Sequence, residues 1–176
     1  MAQQTPNVFT YPRQEPGTQG HLDLVEPLRS LPRDVASELK GLYAPQLTFR
    51  AEDGGWCIQE VVGHLADAAE VYHKRIYMMS TQTDPILEPY DPDGFARDHA
   101  YLERPIEELL DKLRHWRAET VQLLTTLVNW NWARTGRHLE VGRLSIRQIV
   151  EHMIEHEADH LATIRALRAA APKPNG

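Results

Sequence analysis

Two histidines in the C-terminal part of the chain have a spacing that suits metal binding. His156 and His160 are four residues apart, so in a helix both rings lie on one face, about one turn apart. They continue a helical apolar pattern that includes Met153 and Leu167, which marks the buried side of the helix. Burying a polar ring is costly unless hydrogen bonds or an ion satisfy it. The pair therefore predicts either core histidines satisfied by neighbouring polar groups or two ligands of a divalent metal ion.

A divalent site usually needs at least three protein ligands, and His64 is the candidate for the third. His64 stands beside the apolar stripe of another predicted helix, and Gly63 before it permits close approach of a neighbouring segment. His152 and His160 are eight residues apart, roughly 12 Å along a helix axis, so His152 is expected at the surface or behind the ligands. Three histidines without a fourth protein ligand would leave coordination positions open, as in catalytic sites.

Glu157 gives residues 156–160 the string HEADH, which matches the H-E-x-x-H signature of zinc peptidases. Those enzymes place their third ligand downstream, whereas no His, Asp or Glu follows His160 in the remaining 16 residues, so a peptidase is disfavoured. Glu157 is a candidate general base at an open metal, with a solvated helix residue as the alternative. Glu60 and Asp159 are candidates to orient ligand rings, or else surface charges.

The composition excludes or disfavours several other kinds of chemistry. The 176 residues include nine histidines but only Cys57 as a thiol, which excludes thiolate clusters and an intrachain disulfide and fits a reducing cytoplasm. Twenty-five acidic against 19 basic residues give a net charge of -6, which disfavours nucleic acid and anionic membranes. The longest uncharged apolar stretch, 120–133, is shorter than a membrane span of about 20 residues, and no signal peptide is evident. We expect a cytoplasmic protein that acts on a small molecule.

Four amphipathic helices are predicted to position these residues. Apolar side chains recur every three or four positions in four segments, while no strand-like alternation or internal repeat appears. The segments are 21–43, 58–79, 105–127 and 145–171, with a helical turn at 95–101 and an ordered loop at 129–144. Cys57 with Glu60, and Ser145 with Gln148, have the spacing of capping boxes. The sequence predicts an all-α protein, an antiparallel four-helix bundle over 21–171, with tails at 1–20 and 172–176.

Three segments, in this order, resemble the DinB-like superfamily and specifically its YfiT-type branch. They are WCIQEVVGHLAD at 56–67, RTGRH at 134–138 with GRLS at 142–145, and the pair His156 and His160. The resemblance covers about residues 22–170. It implies a four-helix bundle in which His64, His156 and His160 hold a divalent metal ion, and it implies a homodimer.

The resemblance leaves three functions open. Family members include S-transferases that use bacillithiol, mycothiol or glutathione, a maleylpyruvate isomerase, and proteins named as metal-dependent hydrolases. The chain is therefore expected either to transfer a low-molecular-weight thiol cosubstrate to an electrophile, or to hydrolyse a substrate with activated water. A metal-stabilised binding protein without catalysis is the third alternative. Zinc and nickel both suit imidazole ligands.

Arg134 and Arg137, with Arg143, surround two glycines just before the last predicted helix. If this loop reaches the metal, Arg134 and Arg137 are candidates to bind acidic groups of a thiol cofactor. The alternative is that the arginines lie at the surface or tie the loop to the bundle. Cys57 stands where family members usually have Ser or Thr.

Overall fold

The structure is a computed structural model that describes residues 20–52 and 54–173. Its α-helices are α1 Val25–Leu39, α2 Ala44–Leu47, α3 Ile58–Thr81, α4 Pro92–Asp98, α5 Ile106–Thr126 and α6 Ile146–Ala170. Its strands are β1 Ile86–Leu87, β2 Thr135–His138 and β3 Gly142–Ser145, and short 3₁₀ helices occur at Leu22–Leu24, Tyr101–Glu103 and Asn129–Ala133. The predicted helical bundle is confirmed. The predicted tails, apart from Gly20, Pro172 and Lys173, lie outside the described residues.

The four long helices α1, α3, α5 and α6 form the bundle by burying their apolar faces. α3 packs against both α5 and α6, and α1 packs against the same two helices, so α1 lies diagonally across from α3. α3 and α6 are antiparallel, since Met79 of α3 shares one apolar cluster with Ile146. Val61 shares the other cluster with Ile164. No helix in the described ranges is both long enough and apolar enough to cross a membrane.

α3 and α5 run in the same direction, so this pair departs from the antiparallel arrangement that the sequence predicted. Lys112 of α5 donates to Asp67 of α3 at 2.7 Å, and farther along both helices Thr120 lies 3.3 Å from the Nδ1 atom of His73. The connection 82–105 makes this possible, because it returns the chain along the bundle to the beginning of α3. This returning connection brings aromatic side chains onto the first half of α3.

A small three-stranded sheet corrects the predicted loop at 129–144. β2 pairs antiparallel with β3 and parallel with β1. β3 begins directly after the turn, at Gly142, whose φ of 85° is a conformation that glycine adopts without steric cost. Strands of two to four residues are too short to show an alternating pattern, which is why the sequence did not reveal them.

The helix starts agree with the predicted capping boxes. Ser145 Oγ accepts the backbone N–H of Gln148 at 3.1 Å, and the Gln148 side chain accepts the backbone N–H of Ser145 at 2.9 Å. At the start of α3, the Glu60 carboxylate accepts the backbone N–H of Cys57 at 2.9 Å. α1 continues through Pro32 as a single helix.

Gly63 is the point at which the returning connection touches α3. A methyl group built on its Cα would collide with the ring of Tyr101. The Tyr101 ring is buried there, and its hydroxyl donates to Asp67, one turn farther along α3. The close approach expected at Gly63 is therefore made by an aromatic ring.

We expect Gly63→Ala to lower the free energy of unfolding by about 1–3 kcal/mol, because the added methyl group displaces the Tyr101 ring. Urea denaturation measures this effect. In a Tyr101→Ala background the same substitution should cost clearly less, as a double-mutant cycle would show. Equal costs in the two backgrounds would contradict the proposed contact.

Candidate metal centre

Three histidine side chains from α3 and α6 converge inside the bundle. His156 Nε2 lies 3.0 Å from His64 Nε2 and 3.0 Å from His160 Nε2. Together they form a group whose potential ligand atoms all lie within 4.8 Å of one another, and no other described residue joins it. The structure thus brings together the three residues that the sequence predicted as ligands.

Burial keeps these imidazoles neutral. The exposed fractions of His64, His156 and His160 are 0%, 4% and 3%. Desolvation lowers the pKa of His64 and of His156 well below the usual value, and the neighbouring histidines lower both further. Desolvation lowers the pKa of His160 to about 4. Each ring is therefore in the protonation state that a metal ligand requires.

Hydrogen bonding alone does not satisfy the three nitrogens. A neutral imidazole nitrogen either donates one hydrogen bond or accepts one, so His156 Nε2 can make only one good bond to its two neighbours. The Nδ1 atom of His156 is buried and has no hydrogen-bond partner within the described ranges. Two nitrogens that bind one zinc ion at about 2.0–2.1 Å in tetrahedral geometry lie about 3.3–3.4 Å apart, a few tenths of an ångström more than the observed 3.0 Å. The donor set therefore fits a divalent metal ion.

Two aromatic residues orient the ring of His64. Trp56 contacts it edge-on, with ring centroids 5.0 Å apart. The hydroxyl of Tyr90, from the returning connection, lies 3.5 Å from His64 Nδ1. With Nε2 directed at an ion, Nδ1 would carry the proton, and the Tyr90 hydroxyl oxygen is placed to accept a hydrogen bond from this N–H group.

Asp67 anchors the returning connection above His64. It accepts hydrogen bonds from Tyr101 and, at 2.7 Å, from Lys112, and its carboxylate lies 2.6 Å from His99 Nδ1. These three partners belong to the returning connection and to α5. One buried carboxylate on α3 therefore fixes the segment that carries Tyr90.

Glu157 lies inside the bundle rather than in solvent. Its carboxylate accepts a hydrogen bond from Arg117 of α5, and both side chains are buried. Burial raises the pKa of Glu157 to about 7, although the Arg117 guanidinium favours the ionised form. The carboxylate is not among the atoms that converge with the three histidine nitrogens.

Three further candidate residues take positions that the sequence had left open. Glu60 caps α3 and pairs with Arg50 at 2.6 Å, so its carboxylate is engaged away from His64. Asp159 is exposed. His152 is buried behind the ligands, which is one of the two positions expected for it. Its ring centroid lies 6.1 Å from that of His156.

The arginines of the hairpin lie away from the histidines. Arg134 donates at 2.6 Å to the carbonyl of Met79 and at 2.6 Å to that of Gln82. Met79 is 15 residues after His64 on α3, a distance of about 22 Å along the helix axis. Arg143 pairs with Asp84, and Arg137 is exposed. Arg134 therefore ties the hairpin of β2 and β3 to the end of α3. This role was predicted from the sequence as the alternative to binding a thiol cofactor.

Two functional candidates escaped the sequence reasoning for different reasons. Arg117 follows Leu113 by four residues and precedes Thr120 by three, so it occupies a position in the apolar pattern of α5. A charged residue at such a position was the signal that could have revealed it. Tyr90 lies in a proline-rich connection without periodicity, where no pattern indicates a contact with His64.

The match to known protein families covers most of this architecture. A model of the DinB superfamily matches residues 28–164, a range that contains His64, His156 and His160. The chain belongs to the DinB superfamily. The match runs from α1 into α6, so all four long helices of this DinB-superfamily chain contribute to it.

Two relatives extend the comparison within the superfamily. A protein of Oceanobacillus iheyensis is 29% identical over 143 residues, which are 81% of this chain and 83% of that protein. A protein of Bacillus cereus is 27% identical over 161 residues, 91% of each chain. Both carry the name "Putative metal-dependent hydrolase".

Solved structures share the fold. YfiT from Bacillus subtilis, described as a probable metal-dependent hydrolase with an unusual four-helix bundle topology, matches with a TM-score of 0.83 and 22% identity, over 91% of this chain and 92% of YfiT. A mycothiol-dependent maleylpyruvate isomerase matches with a TM-score of 0.66 and 12% identity, over 82% of this chain and 60% of the isomerase. These likenesses show the shared bundle fold.

Acid should destabilise the metal-free protein through the buried histidines. His160 has a folded pKa of about 4, below the usual 6.5, so the unfolded chain binds more protons between these values and stability falls as pH is lowered. Between pH 7 and pH 5 this group removes about 2 kcal/mol. Urea unfolding in the presence of EDTA should show that the free energy of unfolding falls between pH 7 and pH 5. In His160→Gln this fall should be smaller by about 2 kcal/mol. An unchanged dependence in the variant would contradict the burial argument.

Proposed function

We propose that this chain is a metal-dependent enzyme that transfers a low-molecular-weight thiol to an electrophilic small molecule. His64, His156 and His160 hold a divalent ion, zinc or nickel. The observation that carries the proposal is the convergence of three neutral Nε2 atoms with no fourth protein ligand among the described residues. Such a donor set leaves positions open for a substrate.

The protein's own thiol is unsuited to this role. Cys57 is buried at the start of α3, and burial raises its pKa to about 11. A protonated, buried thiol is a poor nucleophile. The reacting sulfur is therefore proposed to come from a cosubstrate.

An ion held by His64, His156 and His160 would supply Lewis acidity, which favours the thiolate form of an incoming thiol. The protein's residues prepare the site for it. Burial keeps the three rings unprotonated, Tyr90 orients His64 through Nδ1, and Trp56 covers one side of that ring. The likeness to a mycothiol-dependent isomerase supports thiol chemistry on this fold.

Hydrolysis is the second candidate, and the names of the two relatives favour it. It would require a base for water, and Glu157 is the candidate from the sequence. The Glu157 carboxylate is held by buried Arg117 and lies outside the nitrogen cluster, so we place thiol transfer first. A small-molecule substrate suits both functions. The homodimer, the cytoplasmic location and thiol binding by Arg134 and Arg137 stay predictions.

Removal of a ligand should remove the metal. His64→Ala, His156→Ala and His160→Ala are each expected to lose most of the bound zinc or nickel, because each deletes one of three protein ligands. Elemental analysis after dialysis measures the stoichiometry. His115→Ala, which removes an exposed histidine of α5, is the matched control and should bind metal normally. Unchanged stoichiometry in the His64 variant would contradict the assigned site.

The choice of reaction can be tested on metal-loaded protein. Glutathione, mycothiol and bacillithiol are each mixed with chlorodinitrobenzene, and conjugate formation is followed by absorbance and mass spectrometry. We expect conjugate formation that depends on the metal and falls at least about a hundredfold in His156→Ala. The His115→Ala control should retain it.

Parallel assays separate the alternatives. Cleavage of an ester panel without any thiol, and without conjugate formation, would favour hydrolysis and contradict thiol transfer. Loss of thermal stability on chelation, with no activity in either assay, would show that the metal has a structural role.

A further inference from the structure

A cavity of about 470 Å³ lies between α1 and α5. This volume is in the range of small-molecule sites. Its lining residues are Arg29, Pro32, Arg114, Arg117, Ala118, Val121, Gln122 and Thr125. No carboxylate is among them, and three of the eight carry guanidinium groups. We call this cavity the arginine groove.

Arg117 is the buried part of the groove wall, with a side chain only 2% exposed. Its Nη2 atom donates to Glu157, but Nε and Nη1 have no hydrogen-bond partner within the described ranges. Buried N–H groups without a partner are rare and carry the full cost of desolvation. Two such groups on a guanidinium whose side chain lines the cavity favour an acceptor supplied by a ligand.

Arg29 and Arg114 supply further positive charge at the rim of the groove. Arg29 pairs with Glu26 at 3.3 Å and Arg114 pairs with Asp111 at 2.7 Å, but the four side chains are between 47% and 74% exposed. Exposed ion pairs are weak, so both arginines can turn to an anionic ligand at little cost. Guanidinium groups bind oxyanions in a fork geometry that favours carboxylates and phosphates.

The remaining lining suits an apolar body attached to such a head group. Pro32 of α1 and Ala118 and Val121 of α5 present hydrocarbon to the groove, and Gln122 adds a polar amide. We propose that the arginine groove binds a small organic acid, with its carboxylate at Arg117, Arg29 and Arg114 and its apolar portion against Pro32 and Val121.

This site is distinct from the candidate metal centre. The groove lies between α1 and α5, whereas the three histidines belong to α3 and α6, the other two long helices of the bundle. The Arg117 guanidinium reaches between them, since it contacts Glu157 of α6 while its side chain lines the groove. Binding of the acid does not depend on the proposed thiol chemistry.

Nuclear magnetic resonance on the zinc-loaded full chain tests the proposal with hexanoate as the probe. We expect a saturable shift of the Arg117 Nε–H resonance and of backbone amides at 29–32 and 117–125. Hexanol, which keeps the apolar body but lacks the charge, should give no saturation. Phenyl phosphate tests whether a phosphate head group is accepted in place of the carboxylate. Tighter binding of the phosphate than of hexanoate would overturn the assignment to a carboxylic acid.

Variants locate the contacts. Arg29→Gln combined with Arg114→Gln should weaken hexanoate binding by about tenfold or more, since two charged donors are lost. Arg33→Gln removes an exposed arginine of α1 that does not line the groove, and it should bind hexanoate normally. Arg117→Lys keeps a positive charge for Glu157 but removes the fork, and should also weaken binding.

Three results would overturn the proposal. They are equal shifts with hexanol and hexanoate, shifts confined to His64, His156 and His160, and unchanged affinity in the Arg29 and Arg114 double variant. The second result would place the acid at the metal centre. Failure of the thiol assays would leave the expected hexanoate shifts unchanged, so the two proposals can fail separately.

Discussion

The convergence of three uncharged imidazoles in a dry interior is the constraint around which the protein is organised. A bundle of this size would be more stable with apolar side chains at His64, His156 and His160, because each ring loses its hydration on folding. The geometry places the Nε2 atom of His156 3.0 Å from the Nε2 atoms of both other histidines, and hydrogen bonding can satisfy only one of these contacts. A cation bound by the three nitrogens relieves this cost. The same histidine contacts that destabilise the metal-free bundle therefore stabilise the metal-bound one.

The elements around the histidines serve this constraint at several distances. α3 and α6 set the positions of the nitrogens, and the returning connection places Tyr90 behind His64. Asp67 holds that connection through partners on two elements, and Gly63 leaves room for the ring of Tyr101. A buried ion pair between Arg117 and Glu157 then joins α5 to the helix that carries two of the histidines. Local changes in these contacts therefore reach the metal centre through packing.

The sequence predicted those features that repeat along a helix and missed those that depend on distant partners. His156 and His160 were found because polar rings interrupted an apolar pattern, and the four helices because that pattern is long. The apolar pattern nevertheless did not identify every buried position, since Ile164 and Arg117 are also buried. The short strands and the contact of Tyr90 with His64 involve residues far apart in the chain, which no local pattern reveals.

The parallel arrangement of α3 and α5 also bears on how the chain folds. In a simple up-and-down bundle, neighbouring helices pair after closure of a short turn. α3 and α5 can pair only after the longer connection 82–105 has returned along the length of the bundle. Contacts such as Lys112 with Asp67 join residues 45 positions apart. We therefore expect the folding rate to be slower than that of an up-and-down bundle of equal size, and closure of this connection to limit it.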